Sequence, residues 1–128
     1  MKKTTVICGP QGSFKNQIAQ DLAGDKQVAL VTAQNFKGNF IKNAQFPKLK
    51  PYEPGPDLFV LIVDEITKTE DLKRLATLST IVMRKRFFAM PAEYPSPEMI
   101  LITQIDLSNE DLSPERYNLI NLYKNGKP

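Results

Sequence analysis

The sequence predicts an α/β domain built on a mainly parallel sheet, and three stretches carry that prediction. Thr4 to Cys8 is a short β-rich run that ends at Gly9, with helical spacing from Lys15 onward. Gln27 to Thr32 is a second run, with Val28, Ala29, Leu30 and Val31 in succession. Leu58 to Val63 is the strongest apolar run in the chain, and it leads directly into Asp64 and Glu65. Strands with no polar face belong to sheets covered on both sides, which is the habit of parallel sheets. A strand, a helix and a second strand in so short a span make a right-handed βαβ unit.

Taken in order, Val6, Ile7 and Cys8 form a buried-type strand. In the helix after it, Ile18, Ala19, Leu22 and Ala23 share one face, and Gly24 supplies the stop. From Ala33 to Asp57, Phe36, Phe40, Phe46 and Tyr52 are scattered among lysines and the prolines Pro47, Pro51, Pro54 and Pro56. A short helix over Gln34 to Asn43 is compatible with this stretch, while the proline-rich part reads as an irregular connector. After the central strand, Thr67 with Glu70 three residues on fits a capping box, and Leu72, Leu75, Ala76, Leu78 and Val82 stripe a helix of about four turns. Pro91, Pro95 and Pro97 mark a loop before a strand over Met99 to Thr103, and Arg116 to Tyr123 reads as a last strand.

Composition narrows the function. A chain of 128 residues fits one domain. The 41% apolar and 24% charged content is that of a soluble protein, and no apolar run approaches the roughly 18 residues of a membrane span. The apolar part of the N-terminus is shorter than the roughly 7 to 15 residues of a secretory signal, so a cytoplasmic location is expected. With one cysteine and no histidine, neither an internal disulfide nor a structural zinc site is expected. Cys8, inside a strand, reads as a small buried hydrophobe. The net charge of +3 permits an anionic partner without requiring one.

The chemistry lies in two motifs. Gly9-Pro10-Gln11-Gly12-Ser13-Phe14-Lys15-Asn16 fits the phosphate-binding pattern G-x-x-x-x-G-K-[ST] at its first glycine and its lysine. Phe14 stands where the second glycine belongs, and Asn16 replaces the serine or threonine. Such a loop needs backbone N–H groups aimed at phosphate oxygens at the positive end of a helix, with a lysine reaching the terminal phosphates. The Phe14 ring must therefore point away from the phosphates. Asn16 offers Mg²⁺ a carbonyl oxygen in place of a hydroxyl. Alone, the loop fits a plain strand-to-helix turn with a solvated lysine equally well. The acidic pair Asp64-Glu65 adds a second motif, one acid for Mg²⁺ and one for orienting water, although a solvated helix approach would also carry acids. Both motifs fall at carboxyl ends of predicted parallel strands, where open α/β sheets bind ligands.

On these residues the chain resembles the P-loop NTPases of the additional-strand, catalytic-glutamate division, which includes the AAA+ ATPases and the superfamily-three helicases. The loop then stands as a degenerate Walker A motif and Asp64-Glu65 as a Walker B motif. The resemblance implies a three-layer α/β/α fold with a five-stranded sheet in the order 5-1-4-3-2, binding ATP or a related nucleoside triphosphate with Mg²⁺. It assigns Lys15 to the terminal phosphates, Asp64 and Asn16 to the metal, Glu65 to the attacking water, and Thr103 or Gln104 to a polar sensor position. Arg116 would act on a neighbouring subunit's nucleotide in a ring. Arg84, Lys85 and Arg86, beside Phe87 and Phe88, occupy the region where family members touch single-stranded DNA. A basic helix end with its phenylalanines in the core is the alternative. Since only Lys124 to Pro128 follow the last strand, an isolated core without the AAA+ helical lid is expected.

The expected function is thus a nucleotide-binding P-loop domain, weakly or partner-dependently ATPase-like, of helicase-like type. A catalytically inactive relic that binds a partner protein, and a nucleic-acid-binding accessory module, are the alternatives. No membrane partner is expected.

Overall fold

The computed structural model describes residues 4–47, 59–84 and 90–123. Five strands form one sheet: β1 (Thr4–Cys8), β2 (Gln27–Thr32), β5 (Phe59–Ile66), β8 (Glu98–Thr103) and β9 (Tyr117–Asn121). Their order is β2-β5-β8-β1-β9 and every pairing is parallel. Numbered as the five strands of this sheet alone and read from the β9 edge, that order is the expected 5-1-4-3-2. The middle positions fall to β5, β8 and β1, whose Val60 to Val63, Met99 to Ile102 and Val6 to Cys8 are all buried. A strand with neighbours on both edges and packing on both faces has no place for a polar side chain.

Alternation along these strands divides the core in two. On one face Ile7, Val28, Val60, Ile62, Ile100 and Ile102 meet Ala19 and Ala23 of α1 (Lys15–Ala23). Two alanines let that helix lie close to the sheet. On the other face Val6, Cys8, Leu61, Val63 and Leu101 meet Leu72 and Leu75 of α2 (Thr69–Ala76) and the buried residues of a second sheet. This sheet joins β3 (Phe36–Lys37), β4 (Phe40–Ile41), β6 (Thr80–Met83) and β7 (Ala92–Pro95) in the order β3-β4-β6-β7. One face of the main sheet is therefore covered by a helix, the other by a helix and a small sheet.

Several local expectations are corrected. The helix over Gln34 to Asn43 is absent; a single 3-10 turn, Ala33–Asn35, leads into the β3–β4 hairpin. Gly38, at φ 59°, permits the tight connection, and the hairpin buries Phe36 and Ile41. The four-turn helix stops at Ala76; Thr77 is the C-cap at φ −104° and ψ 5°, and its hydroxyl lies 3.0 Å from the carbonyls of both Lys73 and Arg74. Beyond it Ile81 and Met83 point inward in strand alternation. No capping box forms: Lys68 is the N-cap without a side-chain bond, and Glu70 and Asp71 complement the helix dipole instead. Part of the Pro91–Pro97 loop is β7, antiparallel to β6, and Pro95 is tolerated there because β7 is an edge strand. Leu22, expected on the packed face of α1, is 51% exposed. Leu58, Tyr52, Pro51, Pro54, Pro56, Lys85, Arg86, Phe87, Phe88 and the Lys124–Pro128 tail lie outside the described residues.

Candidate functional site

Parallel strands bring their carboxyl ends to one rim, and both sequence motifs fall there. The loop after β1 is anchored at its root, where the Gly9 N–H donates to the Thr103 carbonyl at 3.3 Å and the Leu122 N–H donates to the Cys8 carbonyl at 2.8 Å. Gly9 must be glycine for space, since a Cβ there would lie 2.8 Å from the Leu122 Cβ and 2.9 Å from the Ser13 Oγ. Gly12, at φ 84°, takes a conformation that glycine adopts without strain, and a Cβ there would meet nothing within 4 Å. The Ser13 hydroxyl closes the loop by donating to the Pro10 carbonyl at 2.6 Å.

Phe14 is the N-cap of α1 at φ 60° and ψ 35°, in the left-handed region. The glycine of the pattern is thus a backbone requirement here, which phenylalanine meets under strain of about 1 to 2 kcal/mol. Its ring is 77% exposed and turned to solvent. Lys15 begins the helix and folds back over the loop. Its ammonium donates to the Gly9 carbonyl at 3.1 Å, the Pro10 carbonyl at 2.8 Å and the Ser13 Oγ at 3.4 Å.

The end of β5 carries the second motif on a bulge. The register against β8 shifts between Val63 and Ile66, and Glu65 there has φ 60°. Two bonds hold this shape. The Glu65 N–H donates to the Asp64 Oδ1 at 2.7 Å, and the buried Thr103 hydroxyl donates to the Ile66 carbonyl at 2.6 Å. Bulges of this kind re-aim side chains at the end of a strand. Asp64 is half-buried and Glu65 is exposed.

The two motifs touch. Asn16 Nδ2 donates to Asp64 Oδ2 at 3.4 Å, joining the first turn of α1 to the end of β5. Behind it, Gln20 Nε2 donates to Asn16 Oδ1 at 2.7 Å. No group of three or more His, Cys, Asp or Glu side chains that could hold a metal occurs among the described residues. A cation at this rim would instead rest on Asp64 and Asn16, with phosphate and water oxygens completing its shell, as Mg²⁺ commonly does. By type the donor set suits that cation, a carboxylate and an amide oxygen both being hard ligands, but the Asn16 oxygen accepts from Gln20 here and its NH₂ faces Asp64.

The remaining candidates are dispersed. Thr103 accepts the Ile105 N–H at 3.1 Å besides donating to Ile66, so its hydroxyl braces the bulge rather than facing the loop. Gln104 is exposed, and its carbonyl accepts the Tyr123 hydroxyl. Arg116 is exposed at the amino end of β9, where the Thr4 N–H donates to its carbonyl at 2.9 Å. That is the rim opposite to the loop, so Arg116 cannot reach its own chain's loop. Arg84 is exposed at the end of β6, and Lys85 and Arg86 lie outside the described residues.

Sequence reading missed Gln20, whose role depends on a helical neighbour four residues away. It also missed Asp106, beside the rim, which accepts from the Ser108 hydroxyl at 2.5 Å and the Ser108 N–H at 3.0 Å. The Ser108 hydroxyl, more than the N–H, holds this carboxyl below its ordinary range. Under the loop root, burial pushes the Cys8 thiol up, which suits an inert side chain.

No protein-family model matches the chain, and no curated protein matches it by sequence. Among solved structures, it is similar to the A form apo structure of the NrS-1 C-terminal region, CTR(305-718), at a TM-score of 0.49 and 18% identity. The match covers 93% of this chain and 28% of that one. No helix among the described residues is long and apolar enough to cross a membrane.

Proposed function

We propose that this chain is a P-loop domain of the three-layer type that binds ATP or a related nucleoside triphosphate with Mg²⁺ at the rim formed by Gly9–Asn16 and Asp64–Glu65. The observation that carries the reading is the Asn16–Asp64 contact at 3.4 Å, which joins the residue after the loop lysine to the acid at the end of β5. Two motifs separated in sequence would meet in this way if they shared one ligand.

In this reading the loop's N–H groups and the N-terminus of α1 attract phosphate. Lys15 exchanges its loop carbonyls for phosphate oxygens, a replacement of neutral acceptors by charged ones that favours binding. Mg²⁺, held by Asp64 and Asn16, would neutralise phosphate charge. Glu65, exposed beside Asp64, is the group able to orient water. With Arg116 on the opposite rim, any arginine contribution to hydrolysis would have to come from a neighbouring subunit, so slow hydrolysis is expected of the monomer.

Isothermal titration with ATP tests this directly. The wild type should bind, more tightly with Mg²⁺ than with chelator, and Lys15→Ala should weaken binding by about tenfold or more, the worth of a charged hydrogen bond. Absence of binding at millimolar nucleotide in both conditions would overturn it. One observation favours a second reading, a non-hydrolysing module that docks a partner protein: the Phe14 ring is 77% exposed at the mouth of the loop. Under that reading, loss of Lys15 or Glu65 leaves cellular function intact.

A further inference from the structure

Gln20 carries the inference, together with the orientation of the Asn16 amide. The two sit one turn apart on α1, both half-buried. Asn16 presents its NH₂ to the Asp64 carboxylate at 3.4 Å and its oxygen to the Gln20 NH₂ at 2.7 Å. This orientation suits a rim without a cation, since a carboxylate needs a donor. It is the wrong one for a metal, because an amide NH₂ coordinates nothing. A half-turn of the amide puts Oδ1 toward Asp64 and swings Nδ2 toward Gln20. At most positions that swing would leave the NH₂ without its partner. Here the neighbour is itself an amide, with a donor and an acceptor at its end. Gln20 can turn as well and accept with its Oε1.

We infer that Gln20 is a positioning residue that makes the Asn16 amide a two-state ligand, NH₂ toward Asp64 without a cation and oxygen toward Asp64 with one. The inference rests on the proposed nucleotide–Mg²⁺ site and adds to it a residue outside both motifs. It accounts for asparagine at a position where a hydroxyl is the usual metal ligand. A hydroxyl donates or accepts by rotating about one bond, whereas an amide must exchange its ends. The exchange costs little only when a second amide exchanges with it.

The test compares how much Mg²⁺ tightens ATP binding in wild type, Gln20→Leu, Gln20→Glu and Gln17→Glu, each titrated with Mg²⁺ and with chelator. Gln20→Leu removes the acceptor needed by the turned amide, so the Mg²⁺-dependent gain should fall by about three- to tenfold, one hydrogen bond's worth, with the chelator affinity nearly unchanged. Gln20→Glu can only accept. It holds Asn16 with Nδ2 toward residue 20 and Oδ1 toward Asp64, so the gain should rise. Gln17, whose NH₂ donates to Asp21 at 3.0 Å, serves as the charge control: Gln17→Glu adds the same charge on α1 at a side chain whose bond goes to Asp21 and not to Asn16. In nitrogen-15 spectra of the wild type, the Asn16 and Gln20 side-chain amide signals should shift together when Mg²⁺ is added to the ATP complex.

An unchanged Mg²⁺ gain in Gln20→Leu would overturn the inference while leaving nucleotide binding in place. So would a rise in Gln17→Glu equal to that in Gln20→Glu, since charge alone would then explain it. A wild type that binds no ATP in either condition overturns both this inference and the reading beneath it.

Discussion

The loop after β1 and the bulge at the end of β5 each hold one non-glycine residue in the left-handed region, Phe14 at φ 60° and Glu65 at φ 60°. Their surroundings differ. Glu65 is over-determined: Asp64 accepts its N–H, and Thr103 pins the next residue to β8. Phe14 has no side-chain cap and is largely exposed; its carbonyl accepts the Ile18 N–H at 3.1 Å, the first turn of α1. The same dihedral is thus a braced feature at one place and a tolerated cost at the other. Strain persists where neighbouring structure enforces it, and enforced strain is what functional sites use.

Removing the brace should have the largest effect. Thr103→Val keeps the volume but leaves the Ile66 carbonyl and the Ile105 N–H without their partner, and should lower unfolding free energy by about 2 to 3 kcal/mol. Urea denaturation measures this, and a loss below about 0.5 kcal/mol would mean that the bulge holds itself. Phe14→Gly should act in the opposite direction, stabilising by about 1 kcal/mol as strain is relieved, less some unfolded-state entropy. Destabilisation would show that the ring contributes contacts and that the two sites are more alike than they look. The smallest effect lies between the two regions, at Cys8. Burial raises its thiol, so the stability it contributes is full below the unfolded thiol value, about 8.5, and is lost as pH rises past the folded one. Cys8→Ala should flatten the alkaline limb of a stability–pH curve; an identical limb would place its cause elsewhere.

What could be read from the sequence followed the physics of each element. The main strands were legible because full burial writes an uninterrupted apolar run, as in Val60 to Val63. Their order came with the family resemblance, not from any one strand. The Asp64-Glu65 strand end was legible because charge directly after such a run has to leave the core. The small sheet was not: β3 and β4 have two residues each, too few to show a period, and Leu78 to Val82 continue the spacing of α2 by accident. The bulge was hidden because a register shift depends on the partner strand. For Phe14, the sequence told that the ring must avoid the phosphates, while the left-handed backbone that turns it outward appears only in three dimensions. Gln20 was passed over because its meaning lies in what Asn16 does with its other end.

The anchoring of the loop root by Leu122 has a consequence for the order of events during synthesis. Gly9 to Asn16 leave the ribosome well before Leu122, yet the backbone bond from Leu122 to Cys8 and the wall against Gly9 come from that residue, which directly follows β9. Domains fold as units when their final contacts become available. A nascent chain stalled before β9 would carry the loop's sequence without these anchors, so the shape of the loop root arrives with β9 and the residue after it, not with the motif itself.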